Sequence, residues 1–181
     1  MKSKNKFGFT LIELLVVVSI TSILALVSVS NFREGEKRKR VTLAIDGIVN
    51  SINLAQNYTL SGKTTNNVRS DCRVPKYFYV QYNYTKNYYL YAVDNCDEID
   101  LIETYTLPTN VSFQASGLLL NAAPASNNLK LAYYPPFGQT KASIDASVLG
   151  SYTSATISVV SSDGTISKSA VVNGVSGRIT Q

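Results

Sequence analysis

A single carboxylate, that of Glu13, lies near the start of an apolar run that extends from Phe9 to Phe32. A charged side chain at the centre of a membrane helix costs about 3 kcal/mol, so an acid in such a segment is expected to have a partner. Paired with a cation, the carboxylate becomes favourable and can fix the register of packed helices. Glu13 is therefore a candidate assembly residue whose partner is a positive group.

Two cysteines, Cys72 and Cys96, are the next residues with evident chemistry. On the far side of a membrane segment they suit a disulfide, which would stabilise the fold by about 3 kcal/mol. The alternative is a pair of buried thiols. The chain has no histidine, so the commonest general base near neutral pH and the commonest zinc ligand are both missing. With no Gly-x-Ser-x-Gly motif or phosphate loop either, the sequence predicts neither catalysis nor a cofactor.

Three kinds of N-terminal segment could account for the apolar run, which as a helix is long enough to cross a bilayer core of about 30 Å. One is an ordinary transmembrane anchor. Another is a cleaved secretory signal, with Lys2, Lys4 and Lys6 as its positive region and Ser28-Val29-Ser30 as its small-residue site. Neither of these explains Glu13. The third is a leader of a more specific kind.

The evidence for this leader is Lys6-Phe7-Gly8 followed by Phe9-Thr10-Leu11-Ile12-Glu13 and an uninterrupted apolar helix. This motif closely resembles the class III signal of type IV prepilins and pseudopilins. The resemblance implies that prepilin peptidase cuts between Gly8 and Phe9 and methylates Phe9. It also implies other pilin or pseudopilin subunits, and the inner-membrane platform of a pilus or secretion system, as partners. The expected location is the cytoplasmic membrane, crossed once with the C-terminal domain outside, and then a pilus or pseudopilus.

Cleavage between Gly8 and Phe9 would explain both the basic net charge of the full chain and the presence of Glu13 in the apolar run. The net charge is +5, and loss of the three leader lysines leaves 14 basic and 12 acidic side chains, a net charge of +2. A basic leader of this kind is typical of an orientation signal rather than of a nucleic-acid site. The new amine of Phe9 would lie one helical turn from Glu13, which could pair with it or with the amine of a neighbouring subunit.

A charged run and an amphipathic stripe follow the apolar segment. The run from Arg33 to Arg40 predicts a solvated helical face, with an anchor to anionic lipid headgroups as the alternative. Gly62 is the predicted end of the helix, because glycine tolerates a left-handed backbone. The stripe, which should lie against a sheet, recurs at steps of three and four and consists of Val41, Ile45, Ile48, Ile52, Ala55 and Thr59.

The fold class predicted from these patterns is α+β, with a long N-terminal helix packed on a C-terminal antiparallel β-sheet domain. Tyrosine-rich runs at 77–84 and 88–93 predict a hairpin, which Cys72 and Cys96 would clamp. Asp163-Gly164 predicts a two-residue turn between the last two strands. Loops are expected at 118–128 and 139–152. The predicted parts are a leader at 1–8, a helix at 9–62 (membrane or filament core at 9–32, scaffold at 33–62) and a β-rich domain at 63–181.

A second resemblance covers about the last 50 residues of the chain. Tyr133-Tyr134-Pro135-Pro136-Phe137-Gly138, then two strands and a final Gly177-Arg178-Ile179, are similar to H-type pseudopilins and FimT-type minor pilins. In that family a proline-glycine turn precedes a closing hairpin and a terminal Gly-Arg segment. The resemblance implies a minor pilin or H-type pseudopilin. A major pilin and a competence-type DNA-binding minor pilin are the alternatives.

Two surface features could carry additional binding. Alternation places Tyr77 and Tyr79 on one face of a strand, away from Phe78, Val80, Tyr82 and Tyr84. This predicts aromatic packing with subunit contacts, or a stacking platform for single-stranded nucleic acid. The small basic excess of the mature chain disfavours nucleic acid as a partner. The platform's charge would come from Arg69, Arg73, Lys76 and Lys86.

The other feature is an acidic cluster around Cys96. Hard oxygen ligands suit calcium, but the spacing differs from that of the EF-hand loop. A solvated acidic turn is therefore expected there, and no metal. The cluster consists of Asp94, Asp97, Glu98 and Asp100.

Overall fold

The computed structural model describes residues 10–64, 72–136, 138–145 and 147–181, without the side chains of residues 27–31. The chain consists of two compact units, Met1–Arg38 and Lys39–Gln181. The described elements are one helix and ten strands: α1 (Leu11–Ser61), β1 (Pro75–Asn83), β2 (Asn87–Asp94), β3 (Ile99–Thr106), β4 (Val111–Leu120), β5 (Ala123–Pro124), β6 (Asn128–Tyr134), β7 (Gln139–Ile144), β8 (Ser154–Ser161), β9 (Ser167–Asn173) and β10 (Ile179–Thr180).

Both ends of α1 have recognisable caps. At its start, the backbone N–H of Glu13 donates to Oγ1 of Thr10 over 3.3 Å, which satisfies one of the unpaired amides of the first turn. At its end, Gly62 has a φ of 65° and the N–H of Lys63 donates to the carbonyl of Tyr58 over 3.1 Å. This is the hydrogen bond of a Schellman motif, so the predicted stop at Gly62 is confirmed.

Within the described residues, no helical stretch meets the length and apolarity that crossing a membrane requires.

The second unit contains two five-stranded antiparallel sheets. Sheet 1 has the order β3-β2-β1-β6-β7, and sheet 2 has the order β10-β9-β8-β4-β5. The α+β class is thus confirmed as a helix followed by antiparallel strands. The β-sheet domain consists of two sheets, a division that the sequence did not predict.

The core of this unit lies where α1 meets the inner faces of the sheets. All six residues of the predicted helical stripe are buried, and Val41, Ile48, Ile52 and Ala55 have no exposed surface. From the sheets, Phe78, Val80, Leu131 and Ile157 belong to the same cluster. Burying each large apolar side chain is worth about 1.5–3 kcal/mol, so this layer is the main source of stability of the unit.

One predicted loop is a strand. Residues 139–144 form β7, which pairs with β6 from Tyr134↔Gln139 to Leu129↔Ile144 at the edge of sheet 1. The sequence missed it because Ile144 is the one large apolar side chain on its inward face, where Thr140 and Ala142 are small or polar. Pairing with β6, rather than the propensity of the segment, makes it a strand. Likewise, β4 continues through Leu118 to Leu120 and pairs with β8, where a loop was expected.

The hairpin at Asp163-Gly164 is also longer than predicted. The N–H of Ser161 donates to the carbonyl of Ile166 over 2.9 Å, so four residues, 162–165, lie between the last hydrogen-bonded pair. Oδ1 of Asp163 accepts hydrogen bonds from the Ser161 hydroxyl at 2.6 Å and the Thr165 hydroxyl at 2.8 Å. These contacts stabilise the wider turn, in which Gly164 has a φ of 74°.

Candidate functional site

The first part of α1 exposes apolar side chains in every direction. Its large hydrophobic residues from Leu11 to Leu26 are between 47% and 83% exposed. A helix that is hydrophobic all round is normally buried, either in a large protein or in a membrane. This surface therefore needs a covering that the first unit does not itself supply.

The hydroxyl groups of this segment are satisfied inside the helix. Ser19 donates to the carbonyl of Leu15 over 2.8 Å, and Ser22 donates to that of Val18 over 2.7 Å. Thr21 donates in the same way to the preceding turn. Such internal bonds remove the cost of placing a polar side chain in apolar surroundings. Between Leu11 and Leu26, the one ionisable side chain is that of Glu13.

Glu13 lies in the first turn of α1, where the helix dipole favours a negative charge. Gly8 and Phe9, the predicted processing residues, lie outside the described residues, as does the amine that Glu13 is predicted to meet. The contact between Thr10 and Glu13 was not predicted from the sequence. Its signal is the spacing Thr-x-x-Glu before an apolar run, which is the pattern of a capping box.

The charged run forms the predicted solvated face. Residues 32–39 are exposed, and the Arg38 guanidinium lies 2.6 Å from the Glu34 carboxylate one helical turn away. The hydrogen bond and the charge of Arg38 lower the pKa of the Glu34 carboxyl from its ordinary value. Because both side chains are exposed, the pair contributes little to stability.

In the second unit, the outer face of sheet 1 carries the aromatic side chains predicted to point away from the core. Phe78, Val80 and Tyr82 are fully buried on the inner face, whereas Tyr77 is partly exposed on the outer one. The outer rings pack against each other. Tyr79 stacks on Tyr91 with the ring centroids 5.0 Å apart, and the centroid of Tyr77 lies 4.8 Å from that of Tyr134.

The positive groups on this face are mostly not the predicted ones. Nζ of Lys130 lies 5.6 Å from the ring centroid of Tyr79, and Nζ of Lys141 lies 4.8 Å from that of Tyr134. Lys76 also lies here, 2.6 Å from the Asp97 carboxylate. Arg69 lies outside the described residues. Lys130 and Lys141 were not predicted, because they reach the tyrosines only through the pairing of β6 with β1 and of β7 with β6.

These side chains line a groove of about 480 Å³ on the outer face of sheet 1, which we call the tyrosine–lysine groove. The segment from Ser147 to Leu149 contributes to its lining. The volume falls in the range of about 300–1,000 Å³ that is typical of ligand sites. The groove is defined by Lys76, Tyr77, Tyr79, Ile99, Lys130, Tyr134, Lys141, Ser143, Ser147, Val148 and Leu149.

A disulfide joins Cys72 and Cys96, whose Cα atoms are 5.4 Å apart, beside the β1–β2 hairpin. The nearby Asp94 is almost fully buried, and its Oδ1 accepts hydrogen bonds from the N–H groups of Cys96 and Glu98, each at 2.9 Å. This carboxylate therefore shapes the loop. In the part of the chain that the structure describes, no group of three or more His, Cys, Asp or Glu side chains is arranged to hold a metal ion.

Comparison with known proteins identifies the N-terminal segment. Residues 3–29 match the family profile of the prokaryotic N-terminal methylation motif. No curated protein and no solved structure matches the chain. The matched segment contains the Gly8-Phe9 junction, Glu13 and the apolar helix, as the class III prepilin signal requires. The match covers this N-terminal segment only, and it supports a type IV pilin-like or pseudopilin subunit.

Proposed function

We propose that this chain is a minor pilin or H-type pseudopilin, matured by prepilin peptidase and built into a pilus or pseudopilus through α1. The proposal rests on two observations that concern the same segment. The methylation motif at 3–29 covers the part of α1 whose apolar side chains are exposed on every face. Before assembly the lipid of the cytoplasmic membrane would cover this surface, and afterwards the helices of neighbouring subunits would.

The proposed maturation creates the partner of Glu13. A cut between Gly8 and Phe9 leaves a positive amine on Phe9, which the peptidase then methylates. The hydroxyls of Ser19, Thr21 and Ser22 are satisfied within the helix. The Glu13 carboxylate is then the group of this segment that gains most from a partner in the next subunit. An unpaired charge in apolar surroundings is costly, so the pairing would set the register of assembly.

The minor or H-type assignment depends on the end of the chain. The β6–β7 turn contains Pro135, Pro136 and Gly138, and β10 closes sheet 2 against β9. Nε2 of Gln56 on α1 donates to the carbonyl of Gly177 over 3.0 Å. This hydrogen bond holds the terminal Gly-Arg segment against α1. Such a structural role supports the use of the segment as a family signature.

The test of maturation is co-expression with an active prepilin peptidase, followed by mass spectrometry of the intact protein. The expected product starts at Phe9 and carries one added methyl group. A Gly8→Leu variant is expected to keep the full leader, because the small residue before the cut is lost. A wild-type chain that stays uncut beside a control prepilin that is cut would overturn the proposal.

The test of assembly compares two substitutions of Glu13 in sheared filament fractions. Glu13→Val removes both the charge and any capping by the side chain, whereas Glu13→Gln keeps a residue that suits a capping box and removes only the charge. If the carboxylate pairs with an amine, both variants are processed but incorporated at least about tenfold less, given a charged hydrogen bond of ~1.5–3 kcal/mol. Normal incorporation of Glu13→Gln would reduce Glu13 to a helix-capping residue. Copy number in the same fractions separates a minor from a major subunit.

A further inference from the structure

We propose that the tyrosine–lysine groove binds an anionic carbohydrate, with sugar carboxylates held by Lys130 and Lys141. This site belongs to the second unit and is independent of the filament function proposed for α1. The observation behind it is that, among the described residues, four hydrogen-bond donors without a hydrogen-bond partner converge on one groove.

The two lysines are neighbours on one face of the sheet. Lys130 pairs with Ser143 and Lys141 pairs with Ala132 in the β6–β7 register, so the two lysines are diagonal neighbours. Diagonal side chains on paired strands are about 7–8 Å apart at their backbones, within reach of long side chains. Two ammonium groups at this spacing can hold one carboxylate between them or two successive ones.

Their charge is not neutralised within the protein. Over residues 10–64, 72–136, 138–145 and 147–181, neither Lys130 nor Lys141 has a carboxylate within ion-pair distance, whereas Lys76 at the end of the groove is bound to Asp97. Each ammonium lies near a tyrosine ring, that of Tyr79 for Lys130 and that of Tyr134 for Lys141. Both lysines are partly exposed, and a cation–π contact leaves each ammonium able to bind an anion as well.

The groove also offers neutral donors. The phenol groups of Tyr77 and Tyr134 make no hydrogen bond within the described residues, and both rings are partly exposed. Val148 and Leu149 also line the groove. Hydroxyl donors, ammonium groups and the apolar side chains of Val148 and Leu149 together match a ligand that has carboxylates, several hydroxyl groups and an apolar ring face. An acidic sugar has all three.

The same geometry disfavours single-stranded nucleic acid. Base stacking needs open aromatic faces. Here Tyr79 is only 6% exposed and is stacked on Tyr91, while Tyr77 packs on Tyr134. Lys130 and Lys141 lie over two of the rings. The groove therefore presents hydroxyl and ammonium groups where a stacking platform would present ring faces.

The test measures binding of fluorescent oligogalacturonate to the purified full chain in detergent. The expected result is binding that weakens with salt, with no binding of a neutral maltooligosaccharide. Lys130→Gln and Lys141→Gln should each weaken it about tenfold, because each loses a charged hydrogen bond. Lys168→Gln is the matched control, since this exposed lysine lies on β9 in sheet 2 and gives the same change of net charge. Lys130→Arg should restore most of the affinity.

Three results would overturn the proposal. One is the absence of oligogalacturonate binding by the wild-type chain at low salt. Another is equal weakening by Lys168→Gln, which would mean attraction by net charge alone. The third is tighter binding of oligothymidylate than of oligogalacturonate, which would assign the groove to nucleic acid. Thermal unfolding of every variant shows that the fold is retained, and cleavage at Gly8 is scored separately, so neither outcome depends on the filament function.

Discussion

The hydroxyl of Ser51 on α1 lies 3.1 Å from the phenol oxygen of Tyr82 on β1, in the fully buried layer between helix and sheet. Ser51 also donates to the carbonyl of Ile48 over 2.7 Å. A serine hydroxyl has one hydrogen, so Tyr82 is the donor in their shared bond. This contact joins the helix to the sheet at a fixed point in a mostly apolar core.

Substituting Ser51→Ala should destabilise the second unit more than substituting Tyr82→Phe. The alanine leaves the buried Tyr82 phenol without its partner, at a cost of about 1–3 kcal/mol, whereas phenylalanine removes the polar group and costs about 0.5–1.5 kcal/mol. The double variant should recover part of the difference. Urea unfolding of the four proteins measures this, with Ser112→Ala on the exposed face of β4 as a near-neutral control. Additive effects would show that the two hydroxyls are not coupled.

Two glycines of α1 should respond in opposite ways to alanine. An added Cβ at Gly35 meets nothing within 4 Å, so Gly35→Ala should stabilise the helix locally by about 0.5–1 kcal/mol. Amide hydrogen exchange at residues 34–38 should slow by about two- to fivefold. Unchanged or faster exchange there would mean that the backbone at Gly35 is not helical in solution.

At Gly47 the same Cβ would come within 3.1 Å of the Tyr88 hydroxyl. The Tyr88 ring is held between those of Tyr82 and Tyr105, with centroids 5.5 and 5.0 Å away, so it cannot easily move aside. We expect Gly47→Ala to cost about 1 kcal/mol in the free energy of unfolding. Thermal unfolding measures it, and a rise in the midpoint would contradict the packing described here.

The second unit should lose stability in alkali, from about pH 10 upward. Burial raises the pKa of Tyr82 and Tyr133 above the ordinary value, and burial with the Glu103 carboxylate raises that of Tyr88. Above the unfolded pKa of about 10, the unfolded chain therefore binds fewer protons than the folded one, and the free energy of unfolding falls as pH rises. Each phenol contributes a slope of about 1.4 kcal/mol per pH unit.

Tyr82→Phe supplies the control for this pH dependence. Above pH 10, the free energy of unfolding of this variant should fall less steeply than that of the wild type. The difference between the two slopes is the contribution of one phenol. Urea unfolding at successive pH values measures both slopes, and ultraviolet absorbance reports tyrosinate formation. Identical slopes in the two proteins would mean that Tyr82 ionises as freely in the folded state as in the unfolded one.

Removing the disulfide should lower the stability of the second unit by about 3 kcal/mol, because Cys72 and Cys96 are separated by 24 positions and close a loop in the unfolded chain. The double variant Cys72→Ala/Cys96→Ala avoids a free thiol. Its urea midpoint is compared with that of the wild type, each with and without reductant. Reductant should lower the urea midpoint of the wild type and leave that of the variant unchanged. Equal midpoints of the two proteins without reductant would show that no disulfide forms in solution.

Features that depend only on residues close together in the chain could be predicted from the sequence. The prepilin motif is a contiguous string, and the buried stripe from Val41 to Thr59 follows the helical period, so both were found. The division of β1 into a buried face and a tyrosine face follows from the alternation of a strand. The spacing Thr-x-x-Glu also indicates that Thr10 caps the helix. This role was not predicted, because Glu13 had been interpreted as the partner of an amine.

Tertiary structure alone decided the rest. Gln139–Ile144 is a strand because β6 offers it hydrogen bonds, although its own side chains favour no particular state. Lys130 lies over Tyr79 because β1 and β6 are neighbours in sheet 1, although some 50 positions separate them in the chain. Strand order and register depend on which apolar faces are buried together across the whole unit. Local patterns determined the signal, the helix and the faces of single strands, and only the pairing of distant strands brought tyrosines and lysines into one groove.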